Sequence, residues 1–453
     1  MPIASPPLTP PARGGGILTI VFPFAFFLLP FIMRLDSFTK NSLIMFAASS
    51  LGSFFNLFYQ LVMVRVVPKE VFASLNSLLS LLIIISVPCA SFVIMVTKQI
   101  SSHKARNNDE QLRTVWQKLA GHALWFSLAV FILMIIFKGN IASFLRLGSS
   151  GGIVILAFIF FFSGLSSAVT GGLQGLEKFK WLAFITVGAG LLKLFLSFVL
   201  VKMVSNSLNT ALAGFLLPSA FGVILGLWPL RMLLKRKEVK EVVDIKKLYR
   251  YILPATAVAL CFSLFTNMDM LLVKHFFAAG AQDYAVAQMV GKIILSIAGV
   301  IYVVMFSRVS HMHALREDSR KILRRSLIFT FGLSVLVTLG YNLFPGLALK
   351  LLAGRSSPEI ILLGRLFSLS MLFYALSNVL FYYQLSVEKY GFIQPLLIAA
   401  AVQITAIAIF HQTVVMVGII VVLSSLSIFL VNLKSALAYE KPQGQGLGYN
   451  PGL

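Results

Sequence analysis

The chain is dominated by apolar runs that are long enough to cross a lipid bilayer. A membrane-spanning helix needs about 20 mostly apolar residues, and about twelve such runs follow residue 40. Their approximate limits are 41–66, 71–97, 116–137, 152–175, 181–203, 210–233, 251–276, 283–307, 326–346, 359–385, 391–411 and 413–433. Since 58% of the residues are hydrophobic and only 12% are charged, no water-soluble surface can cover them. The sequence predicts an all-α integral membrane protein.

Two short segments recur at nearly the same separation. Residues 176–179 read LEKF, and residues 387–390, which lie 211 positions further on, read VEKY. Residues 71–76 (VFASLN) are echoed at an offset of 212 by residues 283–288 (DYAVAQ). Matching offsets indicate duplicated halves, which in transporters build two bundles around a central path. We therefore predict two parallel lobes of six helices each.

The formal net charge of +23 is concentrated in alternate loops. Basic residues cluster at 98–118, 231–250 and 308–325, whereas the intervening loops hold few. Positively charged loops stay in the cytoplasm, so both ends of the twelve-span body are predicted there, in a multi-pass protein of the inner membrane. This account of the charge requires no nucleic acid as a partner.

The longest basic loop divides the chain. We predict a first lobe at 39–234, a cytoplasmic linker at 235–250 and a second lobe at 251–436. Residues 1–38 form a lead with a possible extra apolar segment, and we expect the natural protein to start at Met33. The glycine-rich segment 437–453 is predicted to be a disordered tail.

Three charged residues fall at bilayer depth, where a charge is costly and usually functional. Lys193 and Lys292 have no acid nearby in their own spans, so they either line a cavity or pair with another helix. Together they could hold an anionic ligand such as a diphosphate. Asp269 is the mid-span acid. It either couples transport to an ion, with Asn267 and Asn378, or forms a structural pair with Lys292.

Other polar side chains accompany them. Asn56 and Gln60 share one face of the first span, where they either face a cavity or bond a neighbouring helix. Arg65 and Arg365 lie near span ends, and they either bind substrate or anchor the helix at the interface. The sequence has no phosphate-binding loop, catalytic constellation or metal-ligand spacing. It therefore predicts no enzyme, no cofactor and no metal site.

Several segments resemble the polysaccharide-biosynthesis, or oligosaccharide flippase (Wzx-like), family of the multidrug/oligosaccharidyl-lipid/polysaccharide (MOP) exporter superfamily. They are KNS at 40–42, VPKEVFA at 67–73, GLQGLEKF at 172–179, NMD at 267–269 and DYA at 283–285. Both halves contribute, so the resemblance covers residues 39–440.

The resemblance implies a flippase with the two-lobed MOP fold. It would move a lipid-linked oligosaccharide on a polyprenyl diphosphate carrier to the outer leaflet, for surface polysaccharides such as the O-antigen of lipopolysaccharide. Membrane lipid, a polysaccharide polymerase and glycosyltransferases are the partners it implies. Two alternatives stay open: a cation-coupled multidrug exporter of the same superfamily, and an integral O-antigen polymerase or glycosyltransferase.

Overall fold

A computed structural model describes residues 37–106, 109–234, 245–277, 279–315 and 317–437. Within these ranges the chain forms twelve long helices and two short ones. In chain order they are α1 (Ser37–Val66), α2 (Lys69–Ala105), α3 (Asp109–Ile136), α4 (Lys138–Phe144), α5 (Gly151–Gly175), α6 (Phe179–Met203), α7 (Leu208–Leu234), α8 (Ile245–Phe276), α9 (Ala281–Ala314), α10 (Arg320–Leu343), α11 (Pro345–Ala353), α12 (Pro358–Ser386), α13 (Ile393–Ile409) and α14 (Val414–Leu437).

The long helices confirm the predicted fold class, because each corresponds to one of the twelve apolar runs. Ten of the helices in the described ranges are long and apolar enough to cross a membrane. Of the other two, α13 has 17 residues, and α9 runs for 34 residues.

The second half of the molecule repeats the packing of the first. Helices α8–α14 follow α1–α7 in the same order, including the short helices α4 and α11 that the sequence did not predict. In the first lobe α5 packs against α2, α3 and α7, and in the second lobe α12 packs against α9, α10 and α14. The two halves are therefore six-helix lobes of one design, each with a short helix added.

The repeated LEKF and VEKY segments form the same turn. Glu177 has a φ of 59° and Glu388 has a φ of 55°, which is the left-handed region that non-glycine residues rarely occupy. In both turns the following lysine N–H donates to the carbonyl five residues earlier, at 2.8 and 2.9 Å. The side chain of Lys178 then bonds the Pro229 carbonyl of α7, and that of Lys389 bonds the Ser435 carbonyl of α14. The repeated segment thus forms, in each lobe, a turn whose lysine side chain is hydrogen-bonded to the last helix of that lobe.

The apolar core shows which side of the molecule is closed. We call the side of the loops near 98–118 and 308–325 the basic side, and the other the opposite side. Toward the opposite side one core joins the lobes, including Tyr59 and Leu75 of the first lobe and Tyr284 of the second. Toward the basic side the buried residues separate into one cluster for each lobe, with Ile252 of α8 joining the first. The lobes consequently part toward the basic side.

Part of the predicted domain division lies outside the described residues. This holds for Met33 and residues 1–36, for 235–244 of the linker and for 438–453 of the tail. Within the predicted linker, residues 245–250 form the first turns of α8.

Candidate functional site

A cavity of about 460 Å³ lies between the lobes. Helices α1, α2, α6 and α7 of the first lobe and α9 of the second form its wall. Its polar lining residues are Ser53, Asn56, Gln60, Asn76, Ser80, Lys193, Lys292 and Ser296. None of the sixteen described lining residues is an acid. The cavity therefore brings together four of the residues predicted from the sequence: Asn56, Gln60, Lys193 and Lys292.

Lys193 enters the cavity from the middle of α6. Its ammonium group donates a hydrogen bond to Asn56 Oδ1 on α1. It also lies 5.2 Å from the ring centroid of Tyr59 and 4.9 Å from that of Phe215, within the range of cation–π attraction. All of these partners are neutral, so they orient the positive charge without cancelling it.

Lys292 enters the same cavity from the second lobe. Its ammonium group donates to Asn267 Oδ1 on α8 at 2.9 Å. The Asn267 side chain is itself fixed, because its Nδ2 donates to the Ser263 carbonyl at 2.9 Å. Each lobe thus supplies one lysine to the cavity, and an asparagine of the same lobe holds each of them.

Asp269 lies beside the cavity wall but is fully buried. Tyr284 Oη donates to Asp269 Oδ2 at 2.8 Å, and Gln288 Nε2 donates to the same oxygen at 2.9 Å. Of the two alternatives for Asp269, a pair with Lys292 is not formed directly here: the side chains that donate to the carboxylate are neutral, and Lys292 bonds Asn267. Lys292 lies one helix turn beyond Gln288 on α9, and its positive charge still attracts the Asp269 carboxylate.

Three predicted residues lie elsewhere. Arg65 is exposed and bonds the Leu351 carbonyl of α11 near the opposite side, and exposed Arg365 is also absent from the cavity lining. Asn378 of α12 is buried and bonds the hydroxyl of Tyr302, not Asp269. Arg365 and Asn378 lie on α12, which does not line the cavity, and Arg65 lies at the end of α1.

Of the residues that complete the site, Lys292 was predicted from the sequence, whereas Tyr284, Gln288, Tyr59 and Phe215 were not. Tyr284, Gln288 and Lys292 occupy positions i, i+4 and i+8 of α9, so they form one polar stripe from Asp269 to the cavity. That spacing was a readable signal. Tyr59 and Phe215 gave no comparable signal, because aromatic residues are frequent throughout the apolar runs.

The lining suits an anionic, polyhydroxylated ligand. Two ammonium groups from opposite walls can each donate to phosphate oxygens. The serine hydroxyls and carboxamides around them offer hydrogen bonds to sugar hydroxyls. Gln60 Oε1 is buried at the cavity wall and accepts no hydrogen bond from the described residues, so it is available to a ligand donor.

The comparison with protein families matches residues 62–361 to a family of polysaccharide biosynthesis proteins. The match covers well over half of the chain and both lobes. A comparison with curated proteins gives no match.

Solved structures share the fold at low sequence identity. The lipid II flippase MurJ in an inward closed conformation superposes with a TM-score of 0.67 at 15% identity, covering 88% of each chain. An inward-facing multidrug resistance MATE family transporter of the MOP superfamily gives 0.68 at 15% identity, over 85% of this chain and 95% of that one. A MOP superfamily transporter from Pyrococcus furiosus, described as having a binding pocket of reverse polarity, gives 0.58 at 14% identity, over 90% and 97%. The fold is that of MOP flippases and transporters.

Proposed function

Since the chain belongs to the family of polysaccharide biosynthesis proteins, we propose that it flips a lipid-linked oligosaccharide across the cytoplasmic membrane. The carrier lipid is a polyprenyl diphosphate, and the product serves surface polysaccharide assembly, such as that of O-antigen. The protein acts as a transporter and not as an enzyme. Glycosyltransferases supply its substrate on the cytoplasmic side, and a polymerase uses the product on the other.

The observation that carries the proposal is the pair of lysines in a cavity without a described acid. Lys193 and Lys292 come from different lobes and place two positive charges at mid-membrane, neither of them bonded to a carboxylate. Such charge is expensive in a bilayer unless a ligand uses it. A diphosphate provides the matching negative charge, while the sugars contact the serines and carboxamides and the lipid tail stays in the bilayer.

Transport follows from alternating access. The basic side corresponds to the cytoplasm by the charge of its loops, so the cavity receives the substrate from the leaflet in which it is made. Rocking of the lobes about the cavity then closes that side and opens the other.

Asp269 is proposed to couple this motion to an ion. A buried carboxylate that has only neutral hydrogen-bond donors can take up a proton or a small cation. Gln288 and Lys292 continue the stripe from Asp269 to the cavity, so a change of charge on the carboxylate reaches the lysine that holds the substrate.

A multidrug exporter is the second candidate, and the charge of the cavity argues against it. Cationic drugs require acidic lining, whereas two lysines and no described acid line this cavity. An integral glycosyltransferase would require acidic residues to hold a metal–nucleotide sugar. Among the described residues no group of three or more His, Cys, Asp or Glu could bind a metal.

Reconstitution tests the proposal. Purified protein in vesicles should move a fluorescent polyprenyl-diphosphate oligosaccharide between leaflets, whereas the Lys193→Met/Lys292→Met double variant should not. Lys202→Met is the matched control, because Lys202 lies on α6 but is exposed and outside the cavity. The proposal fails if the wild-type vesicles flip no faster than empty ones, or if they export a cationic dye instead.

A further inference from the structure

Three hydrogen bonds between described residues cross from one lobe to the other on the opposite side of the molecule. His275 Nδ1 of α8 donates to the Phe144 carbonyl of α4 at 2.8 Å. The Arg65 guanidinium of α1 donates to the Leu351 carbonyl of α11. Gln282 Nε2 of α9 donates to Glu70 Oε1 of α2 at 3.0 Å. Of the three, only the last joins two side chains, so it is the contact that substitutions can test most cleanly.

Glu70 and Gln282 occupy equivalent positions of the two halves. They are separated by 212 residues, which is the offset between the repeated segments that follow them. Two equivalent residues can bond each other only where the axis relating the lobes passes between them. The pair therefore marks the point where the lobes meet on that axis. If both positions held glutamate, two carboxylates would face each other and repel.

The pair lies directly above the cavity. Asn76 and Met289 line the cavity six and seven residues further along α2 and α9, which is about 9 to 10 Å at the helical rise. The Glu70–Gln282 contact therefore closes the cavity on the opposite side.

Two cations of the second lobe, Lys274 and Arg355, are attracted by the Glu70 carboxylate of the first lobe. Lys274 of α8, only 5% exposed, is attracted by Glu70 and repelled by Arg146 of the first lobe. Burial lowers the pKa of the Arg355 guanidinium, while the carboxylates of Asp283 and Glu70 act in the other direction. Glu70 belongs to the first lobe, whereas Lys274, Gln282 and Arg355 belong to the second. The Glu70 carboxylate thus bonds Gln282 and attracts two cations of the other lobe electrostatically.

We propose that Glu70 and Gln282 form a gate, and that the single negative charge they share keeps the cavity closed on the opposite side. Opening on that side separates Glu70 from Gln282, Lys274 and Arg355. The gate rests on only one part of the proposed function, namely that the cavity opens alternately to the two sides of the membrane. It concerns which state the protein occupies, whatever the transported molecule is.

Cysteine accessibility tests the gate without any substrate. Ile83→Cys places a reporter on the cavity wall at a half-exposed apolar position, in a background where Cys89 and Cys261 are replaced by alanine. A membrane-impermeant maleimide should label this reporter from the basic side only. Adding Gln282→Glu should increase labelling from the opposite side by roughly tenfold or more, the scale of one charge-assisted hydrogen bond. Adding Glu70→Gln should give a smaller increase.

The exchanged pair is the matched control. Glu70→Gln together with Gln282→Glu restores one carboxylate and one amide at the axis, so labelling should return toward that of the parent. The gate is disproved if Gln282→Glu labels like the parent, or if the exchanged pair labels like Gln282→Glu.

A cross-link provides an independent test that does not need a destabilised gate. In the same cysteine-free background, Glu70→Cys with Gln282→Cys should be bridged by a short bis-methanethiosulfonate reagent, which forms a disulfide with each cysteine. The bridged protein should stop flipping, and a reductant should restore it. Flipping that continues in the fully cross-linked protein would overturn the gate. If the reporter labels as expected but no variant flips the oligosaccharide, the gate stands and the substrate assignment fails.

Discussion

Replacing Lys193 with methionine separates the functional role of this residue from any structural one. Methionine keeps most of the side-chain volume but removes the ammonium group that bonds Asn56 and contacts the Tyr59 and Phe215 rings. A hydrogen bond between charged groups contributes about 1.5–3 kcal/mol. The variant should therefore bind a polyprenyl diphosphate about 10- to 150-fold more weakly than the wild type.

Folding should not suffer from this change. The charge lies at mid-membrane with neutral partners only, so its removal also removes a desolvation cost. Binding is measured with purified protein by titrating a short-chain polyprenyl diphosphate, and stability by thermal unfolding in the same detergent. Lys193→Arg should retain part of the affinity, since it keeps the charge with altered geometry. Unchanged affinity in Lys193→Met, or a lower unfolding temperature with no loss of affinity, would refute the reasoning.

Three further predictions address coupling, packing and backbone strain. Asp269→Asn should leave the protein folded, since an amide oxygen can still accept a hydrogen bond from Tyr284. Flipping by this variant should no longer respond to an imposed proton or sodium gradient, and a retained response would exclude Asp269 as the coupling residue. Gly214→Ala should destabilise the protein by about 1–3 kcal/mol, because the new Cβ would lie 2.6 Å from Ser197 Cα and 2.0 Å from its hydroxyl. Gly332→Ala is the matched control, as nothing lies within 4 Å of its Cβ, and an equal loss in thermal unfolding would contradict the packing argument. Glu388→Gly should stabilise the protein by roughly 1 kcal/mol by relieving the positive φ of 55°, and a lower unfolding temperature would show that its side chain matters more.

The fold was predictable because each helix that crosses the bilayer needs about 20 mostly apolar residues, which stand out in the sequence. Each long helix overlaps its apolar run, and most ends differ by only a few residues. The short helices α4 and α11 were missed because they are too brief to stand out as spans. The repeated LEKF and VEKY segments predicted duplication correctly, and the structure adds that both encode a left-handed turn at Glu177 and Glu388.

The candidate site was predictable only in part. Lys193 and Lys292 were conspicuous because charges are rare at that depth. Their partners were not, since Asn56 and Asn267 lie 137 and 25 residues away from them and meet them only through helix packing. Asp269 illustrates the same limit. Its sequence context offered Lys292 as the charged partner, whereas Tyr284 and Gln288, two turns and one turn earlier on the same face of α9, are the residues that reach the carboxylate.

The central claim is that each lobe contributes one cation to a shared site for an anionic lipid headgroup. An experimental structure of the protein with a bound polyprenyl diphosphate tests it most directly. We expect the phosphate oxygens to lie within hydrogen-bond distance of both Lys193 Nζ and Lys292 Nζ, with the lipid chain leading into the bilayer. A diphosphate bound away from both lysines, or lysines directed toward acyl chains while the ligand is bound, would contradict it.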